Sequence, residues 1–342
     1  PVSLLIKSRF LSPEEFGYLS IILIVIQVFK LFENFGISQA IIQRDSVSRQ
    51  ESSSIFFFNV FFATGLAGIV YLISRPLAVF FELPGLDGYL EIVSIIILVN
   101  GPSFLFRAFL EKELHFKPMS LINIGRNVIN VSSIFVLLYL DFGVLSVVYA
   151  HILSTAFATL AMIISALMLT DAGVSVYFRP SKLYPFLRFG FFISGKHLLN
   201  FATNRMDEVV IGYLLSPDVL GIYHFGKQML EKLRILLTNS FSKVLLPVFS
   251  KLKHELGRLS SAYFSISKYI AYLAFPLFLG ISMTANEFVI VIFGEQWEES
   301  IIVFQVFSIT MIFLLLTANV SSSLLNALNR PGLVFKISLT AS

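Results

Sequence analysis

The sequence contains no cysteine, which excludes a disulfide framework, a thiolate metal site and a thiol nucleophile. Charge is scarce too. Asp, Glu, Lys and Arg supply 13% of the 342 residues, against about one quarter in soluble domains. The five histidines are scattered without metal-ligand spacing, and neither a Walker sequence nor a GxGxxG loop is present. No catalytic residue, metal, cofactor or nucleic-acid partner is therefore expected. Tryptophan occurs once, at Trp297, and on an outer loop it reads as an interfacial anchor. What is abundant is apolar: 56% of residues are hydrophobic, 37 of them Phe, and the mean hydropathy is +0.83. These values describe an all-α polytopic membrane protein.

Runs of about 20 apolar residues mark membrane spans. They fall at 16–42, 55–81, 89–110, 119–140, 144–169, 183–214, 219–249, 259–283 and 300–328. The chain opens at 2–6 on what reads as the end of a helix and closes near 333–339 on the beginning of another, as expected of a chain cut at both ends. Alternate loops carry the basic residues: Arg44 and Arg49, then Arg107, Lys112 and Lys117, then Arg179, Lys182 and Arg188, then Lys251, Lys253 and Arg258. The positive-inside rule makes those loops cytoplasmic.

An internal repeat accompanies the spans. Leu11-Ser12-Pro13-Glu14-Glu15-Phe16-Gly17 matches Leu215-Ser216-Pro217-Asp218-Val219-Leu220-Gly221, and the same register puts Lys30 on Arg234 and Gln27 on Glu231. Six spans separate the copies, and an even number restores orientation. The expectation is two parallel-repeat lobes, 1–171 and 172–342, with a binding site at their interface.

Charges within spans locate that site. An Arg, Lys or Asp at a bilayer centre costs roughly 2.5–3.5 kcal/mol on insertion scales, so such residues face one another or water. At helical spacing, Asn123, Arg126, Asn127 and Asn130 form one stripe, Lys196, Asn200, Thr203 and Asp207 a second, and His224, Lys227, Gln228, Glu231 and Arg234 a third. Lys30, Arg126, Lys196, Arg205, Lys227, Lys232 and Arg234 stand against Glu33, Asp207, Glu208 and Glu231. The basic excess fits an anion such as pyrophosphate, which Arg holds bidentately and Lys as a point charge. Lys30, Arg126, Lys196, Arg205, Lys227 and Arg234 are the candidate ligands. Glu33, Asp207, Glu208 and Glu231 are candidates for coupling to a proton or sodium ion. The alternative is internal pairing, such as Arg205 with Asp207 and Glu208, that only holds helices in register.

Several segments resemble the polysaccharide-transporter family of oligosaccharide flippases, particularly the colanic-acid-exporter type. They include Arg9-Phe10-Leu11-Ser12-Pro13, Phe35-Gly36-Ile37-Ser38-Gln39, Glu111-Lys112-Glu113-Leu114-His115-Phe116-Lys117-Pro118, Arg205-Met206-Asp207-Glu208 and Phe293-Gly294-Glu295-Gln296-Trp297. The resemblance implies two six-helix lobes around a central cavity, in the superfamily that also holds drug/cation antiporters and lipid II flippases. It further implies alternating access that moves undecaprenyl-pyrophosphate-linked sugar units across the bacterial inner membrane, for exopolysaccharide, capsule or O-antigen synthesis. The partners it implies are a lipid-linked oligosaccharide, membrane lipids and other polysaccharide assembly proteins. A cation-coupled antiporter of small molecules is the alternative within the same superfamily, and it calls for a carboxylate-dominated pocket.

Overall fold

Long apolar runs with few turn residues fold as helices, and helix is the regular structure found among the described residues. The structure, a computed structural model, describes residues 2–33, 37–42, 44, 46–180, 183, 201, 205–328 and 333. The helices are α1 (Val2–Phe10), α2 (Pro13–Glu33), α3 (Ile37–Ile42), α4 (Arg49–Phe80), α5 (Leu86–Asn100), α6 (Ser103–Lys112), α7 (Phe116–Tyr139) and α8 (Leu145–Leu169). After residues outside the description come α9 (205–214), α10 (Pro217–Leu252), α11 (Leu256–Met283), α12 (Ala285–Phe293), α13 (Ser300–Leu314) and α14 (Val320–Ala327). Among the described residues five helical spans are long and apolar enough to cross a membrane, and α5 with α6 makes a sixth as a bent pair. Two compact units result: residues 18–217, and residues 3–17 with 218–342.

In the first unit α4 packs on α5 and α7 on α8, while α8 also covers α5 and α6. A capping box starts α4. Ser48 Oγ accepts from the Glu51 N–H, and the Glu51 carboxylate accepts from the Ser48 N–H at 2.9 Å. Three helices end without the usual glycine. Glu82, Leu114 and Asp141 take φ of 53°, 60° and 63°, and at each the next N–H reaches back five residues, as His115 N–H does to the Leu110 carbonyl. These are Schellman closures of α4, α6 and α7 made with ordinary side chains.

The expected span 89–110 is not straight. It bends by 43° between α5 and α6, where Gly101 and Pro102 interrupt the ladder. A Cβ on Gly101 would stand 2.5 Å from Ala63 Cβ, so α4 packs closely against the bend. In the other unit α13 has the same length as α5, 15 residues, and also ends in an irregularity, the π-turn Leu315–Asn319.

Around residues 3–17 and 218–342 an aromatic core forms. Phe225 lies 4.0 Å, ring to ring, from Trp297, 4.9 Å from Phe293 and 5.8 Å from Phe16. Trp297 is fully buried rather than interfacial, and its indole N–H donates to the Ser8 carbonyl at 2.9 Å. Gln296 donates to the same oxygen, and Arg9 donates to the Val291 carbonyl. The anchor expectation failed because a lone Trp at a helix end looks alike whether its N–H meets lipid headgroups or a carbonyl. The two repeat turns also meet here. An added Cβ on Gly221 would lie 1.8 Å from the Pro13 carbonyl oxygen and 2.8 Å from the Gly17 nitrogen.

Candidate functional site

Helix α7 has two unlike faces. Leu121, Ile124, Val128 and Phe135 are exposed on one side, as a lipid-facing surface requires. The opposite stripe carries Asn123, Arg126, Asn127 and Asn130, with Asn123 and Asn127 exposed and the other two half-buried. A membrane span turns such a stripe toward the bundle interior, where it meets polar partners or a water-filled cavity.

That stripe lines two adjoining cavities that share Asn123 and Arg126. One, of about 250 Å³, is walled by Asn123, Arg126, Asn127, Asn130, His151 and Ser154. The other, of about 300 Å³, adds Lys30, Asn100, Ser103, Phe104, Arg107 and Thr159. Helix α8 fixes the polar groups. Arg126 Nη2 donates to Thr155 Oγ1, and Asn130 Nδ2 to Ser154 Oγ, both at 3.3 Å. Lys30 Nζ lies 3.3 Å from His151 Nε2, and an ammonium can only donate. Asn100 and Ser103 reach the cavity from either side of the bend between α5 and α6.

Lys30, Arg107 and Arg126 thus face one space, and among the described residues no carboxylate lines it. Arg107 pairs with Glu111 one turn along α6, at 2.8 Å, with its side chain largely exposed. Like charges around a water-filled cleft raise the local anion concentration. Among the described residues no three His, Asp or Glu side chains converge as a metal site.

The remaining described candidates are carried by α9 and α10. Arg205, on α9, donates to Glu208, which is fully buried and also accepts from Ser20 Oγ at 3.0 Å. The pair ties α9 to α2 within the first unit, and Asp207 beside it is half-buried. Lys227, Glu231 and Arg234 belong to the second unit, on α10. Lys227 is buried over the Tyr223 ring at 5.8 Å, and His224, Gln228 and Lys232 form a hydrogen-bonded chain along the same face. Arg234 Nε is buried without an acceptor among the described residues. Lys196 and the side chain of Glu33 lie outside the described residues. Arg107 is the cavity cation that sequence reasoning missed, because a cation at a span end reads as an ordinary cytoplasmic loop charge.

Residues 6–302 match the family model described as polysaccharide biosynthesis protein. The chain belongs to this family. It is 24% identical over 338 residues, 99% of this chain, to the lipopolysaccharide biosynthesis protein WzxC of Escherichia coli K12. The chain spans 68% of that relative's length and less than two thirds of several others. Two solved structures share the fold at TM-score 0.77 and 14% identity: an inward-facing multidrug resistance MATE family transporter of the MOP superfamily, and the lipid II flippase MurJ. Alignments cover 98% of this chain and 83% of the former, and 99% of this chain and 77% of the latter. This family member is accordingly a multi-pass protein of the bacterial inner membrane with the MOP-type helical fold. The family's description places it in polysaccharide biosynthesis.

Proposed function

We propose that the chain is the flippase for an undecaprenyl-pyrophosphate-linked oligosaccharide, moving each repeat unit across the inner membrane by alternating access of lobes 1–171 and 172–342. The observation that carries this reading is the cavity faced by Lys30, Arg107 and Arg126, which no carboxylate lines among the described residues. A pyrophosphate offers charge-assisted acceptors to guanidinium and ammonium groups alike. The polyprenyl tail, being apolar, stays in the bilayer and leaves only the headgroup to be carried. Lys196, Lys227 and Arg234 are proposed to meet the same headgroup at another stage of the cycle. Glu33, Asp207, Glu208 and Glu231 are the proposed points of coupling to a proton or sodium ion. A small-cation antiporter shares the fold, but a cation would be repelled from this cavity.

Export in cells tests the reading. Full-length protein carrying Lys30→Ala or Arg126→Ala, expressed in a strain lacking its own copy, is expected to reach the membrane at the wild-type level and lose most surface polysaccharide. Surface polysaccharide at wild-type amounts in both variants would remove the assignment.

A further inference from the structure

Helix α4 opens on Ser52-Ser53-Ser54, three hydroxyl side chains at the head of a long apolar span, and all three are buried. Buried hydroxyls need partners. Ser53 Oγ donates to the Arg49 carbonyl at 2.7 Å and Ser54 Oγ to the Gln50 carbonyl at 2.9 Å, one turn back on the same helix. That commits each hydrogen and leaves the lone pairs. The chain leaving α8 uses them: the Ser175 N–H donates to Ser53 Oγ at 2.8 Å, and the Arg179 N–H donates to Ser54 Oγ at 3.1 Å. Ser175 Oγ stands 3.1 Å from Ser53 Oγ and is the donor of that contact, because the Ser53 hydrogen is already placed.

Residues 171–179 form neither helix nor strand, so their N–H groups have no ladder of their own. Apolar contacts run along the same segment. Ala172 is buried in a core cluster with Ile55 and Leu183, Val174 packs against that cluster, and the Phe178 ring lies 6.0 Å from the Phe61 ring of α4. We propose that residues 172–179 are a strap, fixed to α4 by Ser53 and Ser54, that stays with the first unit while the lobes alternate. The alternation is that of the flippase reading, on which this rests. A segment between two moving lobes ordinarily absorbs their motion as a hinge. This one has the contacts of a packed element, so any pivot lies outside 172–179. Releasing it would break three hydrogen bonds and open the core at Ala172 in one event.

Cross-linking tests the strap. Ser53→Cys with Ser175→Cys supplies the only two thiols in this sequence. The two Oγ atoms are 3.1 Å apart, about 1 Å more than a disulfide requires. Full-length protein carrying both substitutions is oxidised and reconstituted in liposomes, and outward movement of an undecaprenyl-pyrophosphate glycan is compared before and after reduction. Near-complete cross-linking is expected, with transport equal to that of either single variant and unchanged by the reductant. A cross-link that halts transport until it is reduced overturns the strap, because the segment must then leave α4 in every cycle. Failure to cross-link overturns it as well. Ser53→Ala with Ser54→Ala, which lacks both acceptors, is expected to speed chymotryptic cleavage after Tyr177 or Phe178 severalfold in detergent; cleavage at the wild-type rate overturns the anchoring. Wild type that moves no glycan removes the flippase reading, while cross-linking and cleavage still decide whether the segment is fixed to α4.

Discussion

Replacing Gly221 with alanine drives a methyl group into backbone that has nowhere to go. Its Cβ would sit 1.8 Å from the Pro13 carbonyl oxygen, where about 3.4 Å is an ordinary contact. The shortfall is about 1.6 Å, and no side-chain rotation relieves it, because the neighbour is the first turn of α2. Helices α2 and α10 must separate at their N-terminal ends, which pulls Phe16 from its seat 4.8 Å from Trp297. Overpacking of this kind costs typically 1–3 kcal/mol, and a backbone clash belongs at about 3. At about 2–4 °C per kcal/mol the melting temperature falls by about 6–12 °C. Gly68→Ala is the control. Nothing stands within 4 Å of its added Cβ in mid-α4, so higher helix propensity leaves the protein unchanged or up to ~1 kcal/mol more stable. Full-length variants in detergent, heated and scored for monodisperse protein, give the comparison. Equal melting for Gly221→Ala and Gly68→Ala would refute the close approach of the two repeat turns.

Two further predictions concern buried polar contacts. Glu208→Leu leaves the Arg205 guanidinium without its carboxylate in a mostly buried place, and breaking such a pair costs about 3–5 kcal/mol. Thermal melts should show it, with Arg205→Met added on top restoring part of the loss; no loss in the single variant would mean that the pair is not formed. Trp297→Phe keeps the ring packing but removes the donor to the Ser8 carbonyl. A loss of about 1 kcal/mol is expected, and a loss above about 3 would show that ring volume rather than the hydrogen bond dominates.

Hydropathy located the described spans at 55–81, 119–140, 144–169, 259–283 and 300–328 because it senses length, while the expected span 183–214 lies mostly outside the described residues; the repeat was legible because Leu11–Gly17 and Leu215–Gly221 make the same turn in two places. The breaks were not legible. Residues 89–110 read as one apolar run although Gly101 and Pro102 bend it, since hydropathy carries no phase information, and the π-turn Leu315–Asn319 has neither Gly nor Pro to announce it. The turns at Glu82, Leu114 and Asp141 were hidden because helix-ending left-handed residues are usually Gly or Asn. The α7 stripe was readable from spacing alone, and Lys30 and Arg126 do share a cavity. Arg107 and His151 joined them only through tertiary packing of α6 and α8. Counting charges does not show local pairing: Arg205 and Glu208 form a buried pair on α9, and His224, Gln228 and Lys232 form a hydrogen-bonded chain along α10.

The most direct test is movement itself. Full-length protein is reconstituted in liposomes with an undecaprenyl-pyrophosphate glycan on the inner leaflet, and arrival outside is scored by an added glycan-cleaving enzyme, with and without a proton or sodium gradient. The cationic-cavity account predicts translocation by wild type and its loss in both Lys30→Ala and Arg126→Ala. Undiminished translocation in those variants, or gradient-driven efflux of an organic cation with no movement of glycan, would contradict it.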